Sequence, residues 1–120
     1  MSTLMDIQAK ARIDIAAQWA SAEEAGLPHT AANRDEVIAV IDTFIGGMER
    51  LHRANNNSVL DAIRKLYESL DTITAVSDHG LLETDERELL VPIILSCVEA
   101  VGLDLNQFPD GEPGGEYRTF

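Results

Sequence analysis

Leu89-Leu90-Val91-Pro92-Ile93-Ile94-Leu95-Ser96-Cys97-Val98 is the stretch on which the fold turns. It is apolar on almost every side, which places a helix at the centre of a core rather than on its surface. It is also far too short to span a bilayer. Thr84, Asp85 and Glu86 precede it and suit a helix start: a hydroxyl for the cap and two acids for the positive end of the dipole. Gly102 ends the segment, so a helix is predicted over 84–101, with Leu89–Val101 as its apolar part. Pro92 lies about eight residues inside and predicts a bend, or a division near Leu90.

Working outward, three more helices are predicted. Over 58–77, Val59, Ile63, Leu66, Leu70 and Ile73 form one stripe, widened by Leu60 and Tyr67. Asn55-Asn56-Asn57 reads as a turn and Ser58 as the cap, with Asp61 close to a capping-box position. Ser77-Asp78-His79-Gly80 stops this helix. Over 33–54, Val37, Val40, Ile41, Phe44, Ile45, Met48 and Leu51 make a wide stripe opened by Asn33. Arg50, His52 and Arg53 fall in its last turn. Gly46-Gly47 in its middle costs roughly 2 kcal/mol relative to alanine and predicts a kink, a break or a close backbone approach. Over 3–25, Leu4, Ile7, Ala11, Ile15, Trp19 and Ala22 step by three and four, capped by Ser2 or Thr3, and Gly26 and Pro28 end the helix. Beyond Phe108, Pro109-Asp110-Gly111-Glu112-Pro113-Gly114-Gly115 is loop by composition. No β-branched run alternates with polar residues, so strands are not predicted. The fold class is all-α: an irregular four- to five-helix bundle over 1–108 with an acidic Gly/Pro-rich tail over 109–120. Its core is expected to hold Trp19, Ile41, Phe44, Ile63, Leu66, Leu70, Ile94 and Val98.

The 120-residue chain fits one domain, large enough for its own core. Its single cysteine, Cys97, rules out an internal disulfide framework. Asp6, Lys10, Arg12 and Asp14 interrupt any signal-peptide pattern, and the acids of this region argue against a transit peptide, so the expected address is the cytoplasm.

Charge is unevenly spread. Residues 1–65 hold 9 Asp+Glu and 7 Lys+Arg, and residues 66–120 hold 12 and 2, so the net of −12 divides into −2 and −10. Such a chain is repelled by phosphate backbones and anionic lipid, which excludes nucleic acid and membrane surfaces as partners. It is drawn to basic proteins, and faster at low salt.

Several constellations bear on chemistry. Glu49-x-x-His52 has the i, i+3 spacing of one half of a carboxylate-bridged di-metal site. The other half is missing, and Arg50 and Arg53 repel a cation, so a polar helix end explains the pair better. Glu83-Thr84-Asp85-Glu86-Arg87-Glu88 resembles the clustered carboxylates of helical nucleotide pyrophosphatases. In that family Glu-x-x-Glu on one helix and Glu-x-x-Asp on the next hold Mg²⁺. Glu83 with Glu86 has the first spacing and Glu68 with Asp71 the second, in reversed order, and the half has few basic residues for phosphates. Glu68-Ser69-Leu70-Asp71 is also compared with the Asp-Ser-Leu of acyl carrier proteins. There the serine opens a helix, whereas Ser69 lies inside one, so the match fails. Cys97 among Ile94, Val98 and Val101 reads as an inert small hydrophobe. His29, His52 and His79 sit near helix ends and turns, where surface roles are commoner. No phosphate loop, nucleophile elbow or zinc-protease motif is present.

No family is recognised by motif; the resemblance to small acidic immunity proteins is one of composition and size. The expectation is an inhibitory binding protein of the immunity or antitoxin type, whose acidic face blocks a basic toxin or nuclease-like enzyme. No catalytic residue, metal site or cofactor is expected. The partner surface is expected on Asp78, Glu83, Asp85, Glu86, Glu88, Asp110, Glu112 and Glu116, with Tyr117 and Phe120 as aromatic anchors. The alternatives are a Mg²⁺-dependent nucleotide pyrophosphohydrolase using Glu68, Asp71, Glu83 and Glu86, and a scaffold or adaptor subunit. The first requires those four carboxylates to converge.

Overall fold

Four α-helices follow one another in the computed structural model, which describes residues 3–51, 55–77 and 81–120. They are α1 (Leu4–Glu24), α2 (Ala31–Glu49), α3 (Asn56–Ser77) and α4 (Thr84–Ala100). Three single turns of 3₁₀ helix follow, at Leu105–Gln107, Pro109–Gly111 and Gly115–Tyr117. Among the described residues there is no strand. None of the helices is long and apolar enough to cross a membrane.

The apolar stripes do what their spacing predicts. Ile7, Ala11, Ile15, Trp19 and Ala22 are the buried face of α1. Val37, Ile41, Phe44, Ile45 and Met48 of α2, Val59, Ile63, Leu66, Leu70 and Ile73 of α3, and Leu90, Ile94, Cys97 and Val98 of α4 join them in one core. All eight residues expected in the core are buried.

The order of packing differs from the expectation that the last helix lies at the centre. α1 packs against α2 and α4, and α2 against α1 and α3, so α1 and α2 are the helices flanked on two sides. α4 keeps Glu88, Pro92, Ser96 and Glu99 exposed, and Val91, Ile93 and Leu95 only half-buried. Its continuous path through Pro92 has the same cause. Proline removes the amide that would bond the Glu88 carbonyl. Glu88 and Pro92 lie on the exposed face, where that carbonyl need not be paired within the protein, and the helix is not divided.

Helix starts use reciprocal caps, and the sequence reading took the wrong member of three of them. Thr30, not Asn33, caps α2: Asn33 N donates to Thr30 Oγ1 at 3.2 Å and Thr30 N donates to Asn33 Oδ1 at 2.9 Å. Asn55 caps α3 in the same way with Ser58. Glu83 stands at the cap of α4, where its amide donates to Glu86 Oε1 at 3.0 Å. In each case the residue three positions on, or one position on at Thr84, looked like the cap because it too carries an oxygen. Thr3 caps α1 as expected, with Asp6 as its partner.

Both expected glycine stops hold. Leu27 N bonds Ala22 O and Gly26 N bonds Glu23 O, and the same pattern recurs with Leu103, Gly102, Val98 and Glu99. These are Schellman closures, which satisfy the last carbonyls of α1 and α4. α2 ends at Glu49, short of the expected 54, and His52, Arg53 and Ala54 lie outside the described residues. Gly46 and Gly47 do not break α2, and among the described residues they admit no other backbone: a Cβ at either meets nothing within 4 Å.

The tail folds back on α3. Phe120 meets Tyr67 edge to face with ring centroids 5.9 Å apart. Thr119 donates to Asp71 at 2.5 Å. Arg118 donates to Glu112 at 2.7 Å and also to the Phe120 carbonyl. Gly114 makes this seat possible on two counts. Its φ is +72°, and a Cβ there would lie 2.5 Å from Ile63 Cγ2. Gly114→Ala is therefore expected to cost about 1–3 kcal/mol in urea unfolding. A change under about half a kilocalorie would mean that the turn is not seated on Ile63.

Candidate functional site

The ten residues expected to form a partner surface separate into distinct environments. Glu83, Asp85 and Glu88 are exposed at the start of α4. Asp110, Glu116 and Tyr117 are exposed on the C-terminal turns. Asp78 lies outside the described residues. The other three have settings that the sequence did not show. Glu86 is 2% exposed, so it belongs to the interior. Glu112 is half-buried and held in a fork by Arg118. Phe120 packs on Tyr67 of the same chain and so anchors the tail to its own domain.

Glu86 is the hub of a buried polar knot that sequence reasoning missed. Its Oε2 accepts from Gln18 of α1 at 2.9 Å, and its Oε1 from the Glu83 amide. His29 Nε2 stands 3.5 Å from Oε2, an ion-pair distance that is long for a hydrogen bond. The His29 ring nitrogens have no hydrogen-bond partner among the described residues, although the side chain is buried. The ring packs edge-on against Trp19, with centroids 4.8 Å apart. Trp19 Nε1 in turn donates to Asn33 Oδ1 at 2.7 Å, and Asn33 Nδ2 donates to the Pro28 carbonyl. The expectation of surface histidines thus fails at His29. His52 and His79 lie outside the described residues. One local signal existed: Pro28-His29-Thr30 joins two helices tightly, and a short connection between packed helices is often covered.

The carboxylates proposed to grip Mg²⁺ have separate partners. Glu68 pairs with Arg64, Asp71 accepts from Thr119, and Glu86 belongs to the knot. Among the described residues no three His, Cys, Asp or Glu side chains gather closely enough to hold a metal ion. Cys97 is fully buried, and burial pushes its thiol up to about 12, so it stays protonated at neutral pH. Burial likewise raises the Tyr67 phenol, aided by the charge of Glu112 and opposed by Arg118.

Two surface grooves remain. One of about 480 Å³ runs between α1 and α4. Its apolar floor is Ile7, Ala11, Leu89, Pro92 and Ile93, and Asp6, Asp14 and Glu88 stand on its edges. Among the described residues Lys10 is its one cation, tied to Asp14 at 3.1 Å. The other, of about 460 Å³, lies between α2 and α3. The first brings together acids from both halves of the chain, although only Glu88 among them was expected at a partner surface. Charge counted along the sequence hid it, because Asp6 and Asp14 belong to the nearly neutral half. Comparison with protein-family models, with curated proteins and with solved structures finds no match to this chain.

Proposed function

We propose that the chain is an inhibitory binding protein of the immunity or antitoxin type, which seats basic side chains of its target in the α1/α4 groove. The reading is supported by one observation: an apolar floor bordered by Asp6, Asp14 and Glu88 with a single, already paired lysine. Lysine and arginine suit such a place, since their methylene stems lie on apolar surface while their charged ends reach the carboxylates. A target that works on nucleic acid carries clefts of positive charge, and an acidic protein reaches them quickly by long-range attraction. Glu83 and Asp85, exposed beside the groove's helix, add to that field without being needed for contact.

The test is affinity capture from the native source, followed by association kinetics with the captured protein and with a Lys/Leu peptide as a defined probe. Asp6→Lys combined with Glu88→Lys is expected to slow association with both by about tenfold and to flatten its salt dependence. Glu24→Lys combined with Glu116→Lys, outside the groove, is the control. Equal effects from the two pairs would sink the groove as the binding surface and return the charge to a solubility role, as in a scaffold or adaptor subunit.

A further inference from the structure

The α2/α3 groove is the opposite of the acidic one in charge. Along α2, Val40, Thr43, Phe44, Gly47 and Leu51 step by three and four, and Ala62 and Leu66 of α3 face the same space. Among the described residues its charged lining is Arg50, Lys65 and Asp61. Asp61 is engaged by Arg64 at 2.5 Å and by Lys65 at 3.2 Å, so Lys65 is paired as well. In a chain of net charge −12, this described lining nonetheless holds two cations to one carboxylate.

Gly47 adds a second observation. It sits in the last turn of α2, where glycine is still a poorer helix former than alanine or leucine. Among the described residues nothing in the packing requires it, because a Cβ at this position meets no atom within 4 Å and the backbone is ordinary helix. What its missing side chain does is leave the floor of the groove open between Phe44 and Leu51.

We infer that the α2/α3 groove binds a small amphipathic anion: a hydrocarbon body lying over Gly47 and Ala62, with one carboxylate or phosphate head at Arg50 and Lys65. The dimensions agree. About 460 Å³ lies within the range of small-ligand pockets. The α2 side from Val40 to Leu51 extends about 16 Å at 1.5 Å per residue, enough for a medium-length alkyl chain. The lining offers the head Arg50 and Lys65, the latter shared with Asp61, and offers the remainder of the ligand Val40, Phe44, Leu51 and Leu66. This site is independent of the acidic groove and of any protein partner bound there.

The experiment is a chemical-shift titration of the whole chain with octanoate, octyl phosphate and, as the neutral counterpart, octanol. Octanoate or octyl phosphate is expected to shift the amides around Gly47, Ala62 and Leu66 saturably, and the tighter of the two identifies the head. Arg50→Gln combined with Lys65→Gln should weaken the anion about tenfold while leaving octanol unchanged. Gly47→Leu should abolish binding of all three. Since leucine is a far better helix former than glycine, this variant should melt no lower than the parent, so a loss of binding is not a loss of fold. Unshifted groove amides, undiminished binding by Gly47→Leu, or equal weakening of octanoate and octanol by the double substitution would each overturn the inference.

Discussion

Replacing Glu86 by alanine lowers the unfolding free energy by about 2–5 kcal/mol, the result expected from removing a buried polar side chain that caps one helix and bonds another. The carboxylate accepts from two groups far apart in the chain, the half-buried Gln18 amide and the Glu83 backbone N–H, and stands 3.5 Å from the buried imidazole of His29. Alanine removes both acceptor oxygens and leaves a cavity beside His29, and each partner left unsatisfied costs of the order of 1–3 kcal/mol. It also deprives α4 of its capping partner. Glu88→Ala, two residues on and exposed, should change stability by no more than about 0.5 kcal/mol. Urea unfolding of the two variants decides the matter. A cost below about 1 kcal/mol at Glu86 would show that its carboxylate does not hold the helices together.

Truncating the core gives losses of similar size. Ile94→Ala and Leu66→Ala are each expected to cost about 2–5 kcal/mol, the sum of lost transfer energy and the cavity left behind. Ile94 is 1% exposed and Leu66 3%. The two need not cost the same. Leu66 also lines the α2/α3 groove, so its removal opens a space that water already reaches. Ile94 is enclosed, and its cavity stays dry. Ile94→Ala should therefore be the costlier of the two, and the reverse order would mean that the groove is closed at Leu66.

Much of the fold was legible because helical periodicity is a local signal. The steps of three and four from Ile7 to Ala22, or from Val59 to Ile73, need no knowledge of the partner helix. What stayed hidden depends on residues far apart in the chain. Glu86 and Gln18 are separated by 68 positions, and nothing near Glu86 distinguishes it from Asp85 or Glu88. The first turn of α4 is amphipathic like any other, and only the arrival of α1 decides which acid turns inward. The tail misled in a different way. Its glycines and prolines read as loop, yet Gly114 is the residue that lets the chain lie against Ile63. The apolar character of α4 suggested a central helix, but Pro92 and Ser96 face outward and leave several of its aliphatic residues half-covered. Of these, Ile93 joins Leu89 and Pro92 in the floor of the acidic groove. That groove depends on α1 and α4 meeting, so composition pointed to an acidic surface without pointing to Asp6 and Asp14 beside Glu88.

The contact between α1 and α4 also governs the order in which the protein can be completed. The face of α1 that α4 covers is made well before its cover. At about 5–20 residues per second, the interval between Gln18 and Glu86 is roughly 3–14 s of synthesis. Through that time part of the stripe containing Ile7, Ala11 and Ile15 is open to water and to other chains. α2 can cover one side of it early, and α3 can join α2 without waiting. α4 is thus a late cover for α1, and a nascent chain stalled before Thr84 would present the sticky surface that chaperones and proteases recognise.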